Sequence, residues 1–244
     1  MFPLGSVLFP HAVLPLHVFE PRYRALVEHC LAAAGGGGFA DRRRRSGSEA
    51  DATKGAGAFG VVLIERGSEV GGGDVRFDVG TVARIVQAGR LDDGRWVLMT
   101  VGAERLRVTE WLPDDPYPRA DVEVIDEPAA PADVSQAIPR VESLLRRVLA
   151  MRAELGEHGP AAAAWPTVAG GAGAQRRRPM ESSVDVALAD DPVRASFEAA
   201  ARAPLGPLDA QQLLEVDDAA ARFARLETLL EDEVNVLAFR LAGD

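Results

Sequence analysis

Residues 14–24 read LPLHVFEPRYR, and the way this stretch folds decides how the rest of the chain is read. Leu14, Leu16 and Val18 recur at every second position, the period of a strand with one buried face. Pro21 then suits the first turn of a helix, where its missing N–H leaves no bond unmade. Behind it Tyr23, Leu26 or Val27, Cys30 and Leu31 fall on one helical face, and the glycines from 35 stop the helix. The stretch is therefore a strand-to-helix junction. Glu20 sits at the helix N-terminus, where exposed N–H groups and the dipole favour a carboxylate. Arg22 or Arg24 is placed to pair with it or with a carboxylate of the sheet. These polar residues read as structural rather than catalytic.

Working outward, the first half continues as strands. FGVVLIE (59–65) is a compact apolar run, and GGGD (71–74) supplies a turn after it. VGTVARIVQAG (79–89) alternates Val82, Arg84 and Val86 against Ala83, Ile85 and Gln87. Asp93-Gly94 is a hairpin signal leading into RWVLMTV (95–101). Gly102 is read as a further turn into ERLRVTEWL (104–112). PRADVEVID (118–126) is the last strand, with Val122 and Val124 on one face. With the N-terminal strands this makes about six short strands joined mostly by hairpins, the pattern of a small antiparallel barrel.

From residue 131 the period becomes helical. Val134, Ile138, Val141, Leu145, Val148 and Met151 form an amphipathic stripe, and Pro139 kinks that helix or marks its start. Asp209 with Gln212 resembles a capping box for AQQLLE. Asp217 or Asp218 starts a final helix with Phe223, Leu226, Leu230, Val234 and Leu237 along one face. The expected organisation is α+β: an antiparallel pseudo-barrel with one helix over 1–127, then a helical bundle over 128–244.

Two stretches fall outside either period. Residues 35–58 combine glycine and like charge with almost no large apolar side chain, and read as a flexible insertion. Residues 156–181 read as a second flexible linker, with Trp165 as its one docking candidate. Lengthening a surface connection to 24 residues costs only about 1.5 kcal/mol by loop-closure scaling, so a fold can carry it.

Composition bounds the function. The net charge of −10 repels nucleic-acid phosphates and anionic lipid. The single cysteine, Cys30, rules out an internal disulfide and suits a reducing cytoplasm. The first ten residues lack the basic start of a signal peptide, and no apolar run is long enough to span a membrane. All 27 basic residues but Lys54 are arginine, which reads as genome composition rather than function.

Residues 2–27, FPLGSVLFPHAVLPLHVFEPRYRALV, resemble the N-terminal segment of the Lon substrate-binding domain family. FGVVLI, VGTVARI, LDDGRWVLMTVGAERLRV and PYPRADVEV are similar too, and the resemblance resumes at PLGPLDAQQLLEVDDAAARFARLETLLEDE (204–233). FEPRYR is its most specific element. The resemblance implies a PUA-like pseudo-barrel followed by a helical subdomain. It also implies binding of unfolded or exposed hydrophobic polypeptide along the groove between the halves, with a separate protease or chaperone as a further partner. Two departures stand out. His11 occupies a position where the family usually has glycine, and 35–58 enlarges a short connection.

Full-length Lon proteases add an ATPase and a serine–lysine peptidase. Lys54 in ATKGAG supplies neither a phosphate loop nor a desolvated dyad lysine. GAGAFG (55–60) matches a dinucleotide fingerprint by letter, but a strand rather than a helix follows it. His29 and Cys30 are helical neighbours whose side chains diverge by about 100° and form no dyad, and Cys30 reads as a small core hydrophobe. His17 and Glu20 lack further metal ligands nearby, and His11 and His158 are isolated. The chain thus reads as a non-catalytic, stand-alone cytoplasmic module with no catalytic residue, cofactor or metal, whose peptide-binding residues the sequence does not name. The alternative is an RNA-binding PUA-like protein contacting RNA through Arg42 to Arg45 and Arg176 to Arg178. Those runs lack the interleaved aromatics an RNA surface uses.

Overall fold

The computed structural model describes residues 1–35, 57–67, 73–157 and 186–243. Most of the two expected linkers, with Lys54, His158, Trp165, both arginine runs and the first glycines of the 71–74 turn, lies outside the described residues. Of the residues read as insertion, Ala58 opens a strand of the sheet, and the Gly57 carbonyl just before it accepts the Ile85 amide at 2.8 Å. The chain divides into two compact units, Met1–Asp126 and Glu127–Asp244.

The first unit holds a six-stranded sheet: β1 (Phe2–Leu4), β2 (Val13–Val18), β3 (Ala58–Arg66), β4 (Val75–Arg90), β5 (Trp96–Leu112) and β6 (Arg119–Val124). The strands run in the order β1-β3-β4-β5-β2, with β6 also paired to β5. The pairings do not join β1 to β2, so the expected pseudo-barrel is an open sheet. It is also not wholly antiparallel, since Phe2–Leu4 pairs in parallel with Val61–Leu63. Helix α1 (Pro21–Gly35) packs Tyr23, Leu26 and Val27 into one core with Phe2, Leu4, Phe59, Val61, Ile85 and Leu98.

Asp93-Gly94 turns the chain as expected. Gly94 has φ +82°, and its amide donates to the Leu91 carbonyl at 2.9 Å. Gly102 does not turn it. β5 runs unbroken through that position, and the expected pair of short strands is one strand of 17 residues. The glycine is needed because the 8–12 segment crosses against the strand: a Cβ at 102 would lie 2.1 Å from the Phe9 carbonyl oxygen.

The second unit is helical. A 3₁₀ turn (Ala132–Gln136) leads into α2 (Ala137–Glu154), so Pro139 lies in the first helical turn rather than at a kink. Val141, Leu145 and Val148 are buried, as are Phe223, Leu226, Leu230, Val234 and Leu237 of α5 (Ala219–Gly243), against which α2 packs. Asp218 caps α5 by accepting the Ala221 amide at 2.8 Å. Asp209 caps nothing: α4 (Pro207–Glu215) starts earlier, with Gly206 as its N-cap and Pro207 in the first position. A proline there has no N–H to leave unpaired, and that preference overrides the capping-box spacing. Helix α3 (Pro192–Arg202) was not foreseen, although Asp191 before Pro192 is a start signal; its carboxylate accepts the Arg194 amide at 2.8 Å.

Arg222, from α5, is the buried node of this unit. Its guanidinium lies 3.8 Å from the Phe197 ring centre. It donates to the Leu213 and Val216 carbonyls at 3.2 and 2.8 Å and to the Ser196 hydroxyl at 2.8 Å, and it faces Glu127 at 3.5 Å. One side chain thus closes the end of α4, whose last carbonyls have no helical partner.

Candidate functional site

The junction that opens the sequence is built as its residues suggest. The Glu20 carbonyl accepts the Arg24 amide at 2.9 Å, the first helical bond of α1. Arg22 donates from Nε to the Glu20 carboxylate at 3.1 Å and stacks 4.5 Å over the Tyr23 ring. Tyr23 in turn stacks on Phe2, with centroids 4.2 Å apart, which ties α1 to β1. Burial pushes the Tyr23 phenol up to about 12, with smaller contributions from the surrounding charges. His17 is exposed.

A cavity of about 130 Å³ opens at this junction. Phe2 and Leu4 of β1, Leu16, His17 and Val18 of β2, and then Phe19, Glu20 and Tyr23 line it. Its wall therefore joins the two strands at the ends of the open pairing path. The volume approaches the roughly 150 Å³ that holds a benzene ring, enough for one apolar side chain.

A second apolar feature lies on the same strand. Residues directly opposite across an antiparallel pair share a face. Val13 stands opposite Val101, and Pro15 opposite Met99. The neighbouring residues Leu98 and Thr100 of β5 point inward and are fully buried. On β4 the register slips between Ile85 and Gln87, leaving Val86 as the extra residue of a bulge beside Met99. Val13 and Val86 are each 61% exposed, and Pro15, Met99 and Val101 are half-buried. Together they form a largely aliphatic patch on the outward face of β4, β5 and β2, with exposed Gln87, opposite Met99, as the polar residue within it. The Arg84–Glu104 ion pair lies beside it, with Arg84 in the row of Val101, and His17 lies at the other end of β2. A rimmed apolar patch of this kind is the usual mark of an interaction surface.

Sequence reasoning missed this face. The signal is present in VLPLHV, where Val13 and Pro15 make the second alternating set apolar as far as His17, beside the set of Leu14, Leu16 and Val18. The other residues singled out are dispersed. His29 pairs through Nδ1 with the Tyr117 hydroxyl at 2.8 Å, while the Cys30 thiol donates to the Ala58 carbonyl at 3.2 Å. Cys30 is only half-buried, and burial raises its thiol above the ordinary value. Among the described residues no group of three or more His, Cys, Asp and Glu is arranged to hold a metal ion. No helix among them is long and apolar enough to cross a membrane.

The comparisons with known proteins agree with this architecture. The structure is similar to a Lon N-terminal domain protein from Xanthomonas campestris, with a TM-score of 0.54 and 22% identity over 92% of this chain and 94% of that one. It is equally similar to the N-terminal domain of the Mycobacterium avium complex Lon protease, with a TM-score of 0.54 and 18% identity over 96% of each. In sequence it is 25% identical over 236 residues to Lon protease 2 of Herpetosiphon aurantiacus, matching 96% of this chain and 23% of that protein. The chain thus spans about a quarter of the length of that relative. The family model for the ATP-dependent protease La (Lon) substrate-binding domain matches residues 1–232. The chain belongs to the Lon substrate-binding domain family.

Proposed function

We propose that this chain is a non-catalytic polypeptide-binding module that holds exposed hydrophobic segments on the outward face of β2, β5 and β4. The observation that carries this reading is the aliphatic patch of Val13, Pro15, Val86, Met99 and Val101, which leaves apolar surface uncovered beside an ordered, rimmed sheet. The cavity at the far end of β2 adds room for one further apolar side chain. An open patch buries little area and a disordered ligand loses entropy on binding, so affinity is micromolar or weaker. Binding needs neither nucleotide nor metal. The module acts in the cytoplasm and passes its ligand to a separate protease or chaperone.

RNA binding is the competing reading. The patch is aliphatic, whereas a single-strand platform stacks bases on aromatic rings within a basic groove. The chain also carries a net charge of −10.

The test is a salt titration run in parallel with a reduced, unfolded polypeptide and a single-stranded RNA. Polypeptide binding persists from 50 to 200 mM salt, because apolar contact is not screened, whereas RNA affinity falls steeply over that range. Val86→Glu weakens the polypeptide complex while leaving the melting temperature near that of the parent, since Val86 is exposed on a bulge. Tight, salt-sensitive RNA binding with no polypeptide signal refutes the proposal.

A further inference from the structure

The backbone of β2 has two sides, and among the described residues only one is paired with another strand. Along an antiparallel pair, residues alternate between pointing N–H and C=O at the partner and pointing them away. The Gly102 amide donates to the Ala12 carbonyl at 2.9 Å, which sets the phase. Two residues on, Leu14 faces Thr100, then Leu16 faces Leu98 and Val18 faces Trp96. Val13, Pro15 and His17 therefore turn their backbone groups away from β5. Among the described residues no strand pairs with β2 on that side.

Pro15 supports this phase independently. A proline inside a strand is tolerated where its missing N–H points off the sheet, and removes a ladder bond where it points in. The free side thus offers the carbonyls of Val13, Pro15 and His17 and the amides of Val13 and His17. It carries no lysine or inward charge of the kind that protects an exposed edge, and Pro15 is the one residue on it that blunts pairing. The side chains of Val13 and Pro15 lie on the aliphatic outer face. The cavity that begins at Leu16 opens at the other end of the same strand.

We propose that the free edge of β2 receives an extended polypeptide as an added strand. The ligand hydrogen-bonds to Val13, Pro15 and His17 and lays its alternate apolar side chains beside Val13, Pro15 and Met99. This rests on the polypeptide-binding reading and adds a mode to it: backbone recognition in a fixed phase, with side-chain pattern as the selector. The edge is short of one donor at Pro15, so the ligand's amides matter more than its carbonyls. Because the ligand supplies amides at every second residue, its two alternating sets of N–H groups have unequal worth.

The experiment uses the full chain and a peptide alternating apolar and polar residues, made in three forms. One is unmodified, one is N-methylated at the apolar positions, and one at the polar positions. Slipping by one residue would put polar side chains on the aliphatic face, so the peptide cannot escape by changing phase. One methylated form binds about tenfold more weakly or worse, the scale of losing two or three hydrogen bonds, and the other binds within about twofold of the parent. Hydrogen exchange then shows new protection at the amides of Val13 and His17. If both methylated forms bind like the parent, strand addition is wrong while polypeptide binding stands. If the unmodified peptide also fails to bind, the functional reading falls with it. If the free chain sediments as a dimer with Val13 and His17 already protected, a second copy occupies the edge and the proposal is overturned.

Discussion

The His11 amide donates to the Gly102 carbonyl at 2.8 Å, and the Gly102 amide donates back to the Ala12 carbonyl at 2.9 Å. The exchange locks the turn before β2 onto the middle of β5. To make it, His11 adopts φ +65°, which among the described residues no other non-glycine shares. A side chain in this left-handed region costs about 1–2 kcal/mol. His11→Gly removes that strain but frees the unfolded chain, and the net effect is a stabilisation of about 1 kcal/mol. Chemical denaturation of the two proteins measures it. A loss of stability shows that the imidazole makes contacts worth more than the strain.

Glu20→Ala destabilises the first unit by about 1 kcal/mol, the scale of losing a favourable group at a helix start. The carboxylate is engaged by Arg22 but also lines the cavity, so the probe is a peptide too short to reach it: on the aliphatic patch alone the folded fraction of the variant binds as the parent does. Unchanged melting with abolished binding reassigns the junction from scaffold to binding site.

Arg222→Leu costs about 3–5 kcal/mol, because Glu127 and the carbonyls closing α4 are left buried without their cation. Arg222→Lys keeps the charge but not the planar fork that reaches Leu213, Val216 and Ser196 together, and loses about 2 kcal/mol. Denaturant midpoints for both variants rank them. Equal losses refute a role for the fork.

At high pH the Tyr23 phenol loosens the first unit. Its pKa is about 12 when folded, against 10.0 for an ordinary tyrosine. The neutral form is common to both states below pH 10, so burial costs nothing there. Between about pH 10 and 12 the unfolded chain releases the proton first, and stability falls as pH rises. Tyr23→Phe flattens this slope in an alkaline denaturation series. It also removes the late step of the phenolate absorbance titration.

Much of this fold is local and was legible. The alternation in β2, Pro21 at a helix start, the Asp93-Gly94 hairpin, the Asp218 cap and the Phe223-to-Leu237 stripe each rest on residues within a turn or two of one another. Signals of that range are carried by backbone conformation and by the periods 2 and 3.6, which a sequence displays directly. Capping was legible only where no stronger signal competed, as Pro207 displacing Asp209 illustrates.

The class and order of the elements follow from the residues read in line: strands first, helices after, with one strand-to-helix junction near the start. The tertiary structure alone decided which strands meet, and the candidate site follows from that. Gly102 reads as a turn until the 8–12 segment is seen lying against it. Val86 reads as one more alternating residue until the register places it as the extra residue of a bulge beside Met99, and nothing in the sequence sets Arg222 apart until α4 ends against it. Each depends on a partner far away in sequence. Whether a side chain is covered or a backbone edge is paired is set by which surfaces come together, and β2 carries the proposed site because among the described residues no strand pairs with its outer edge.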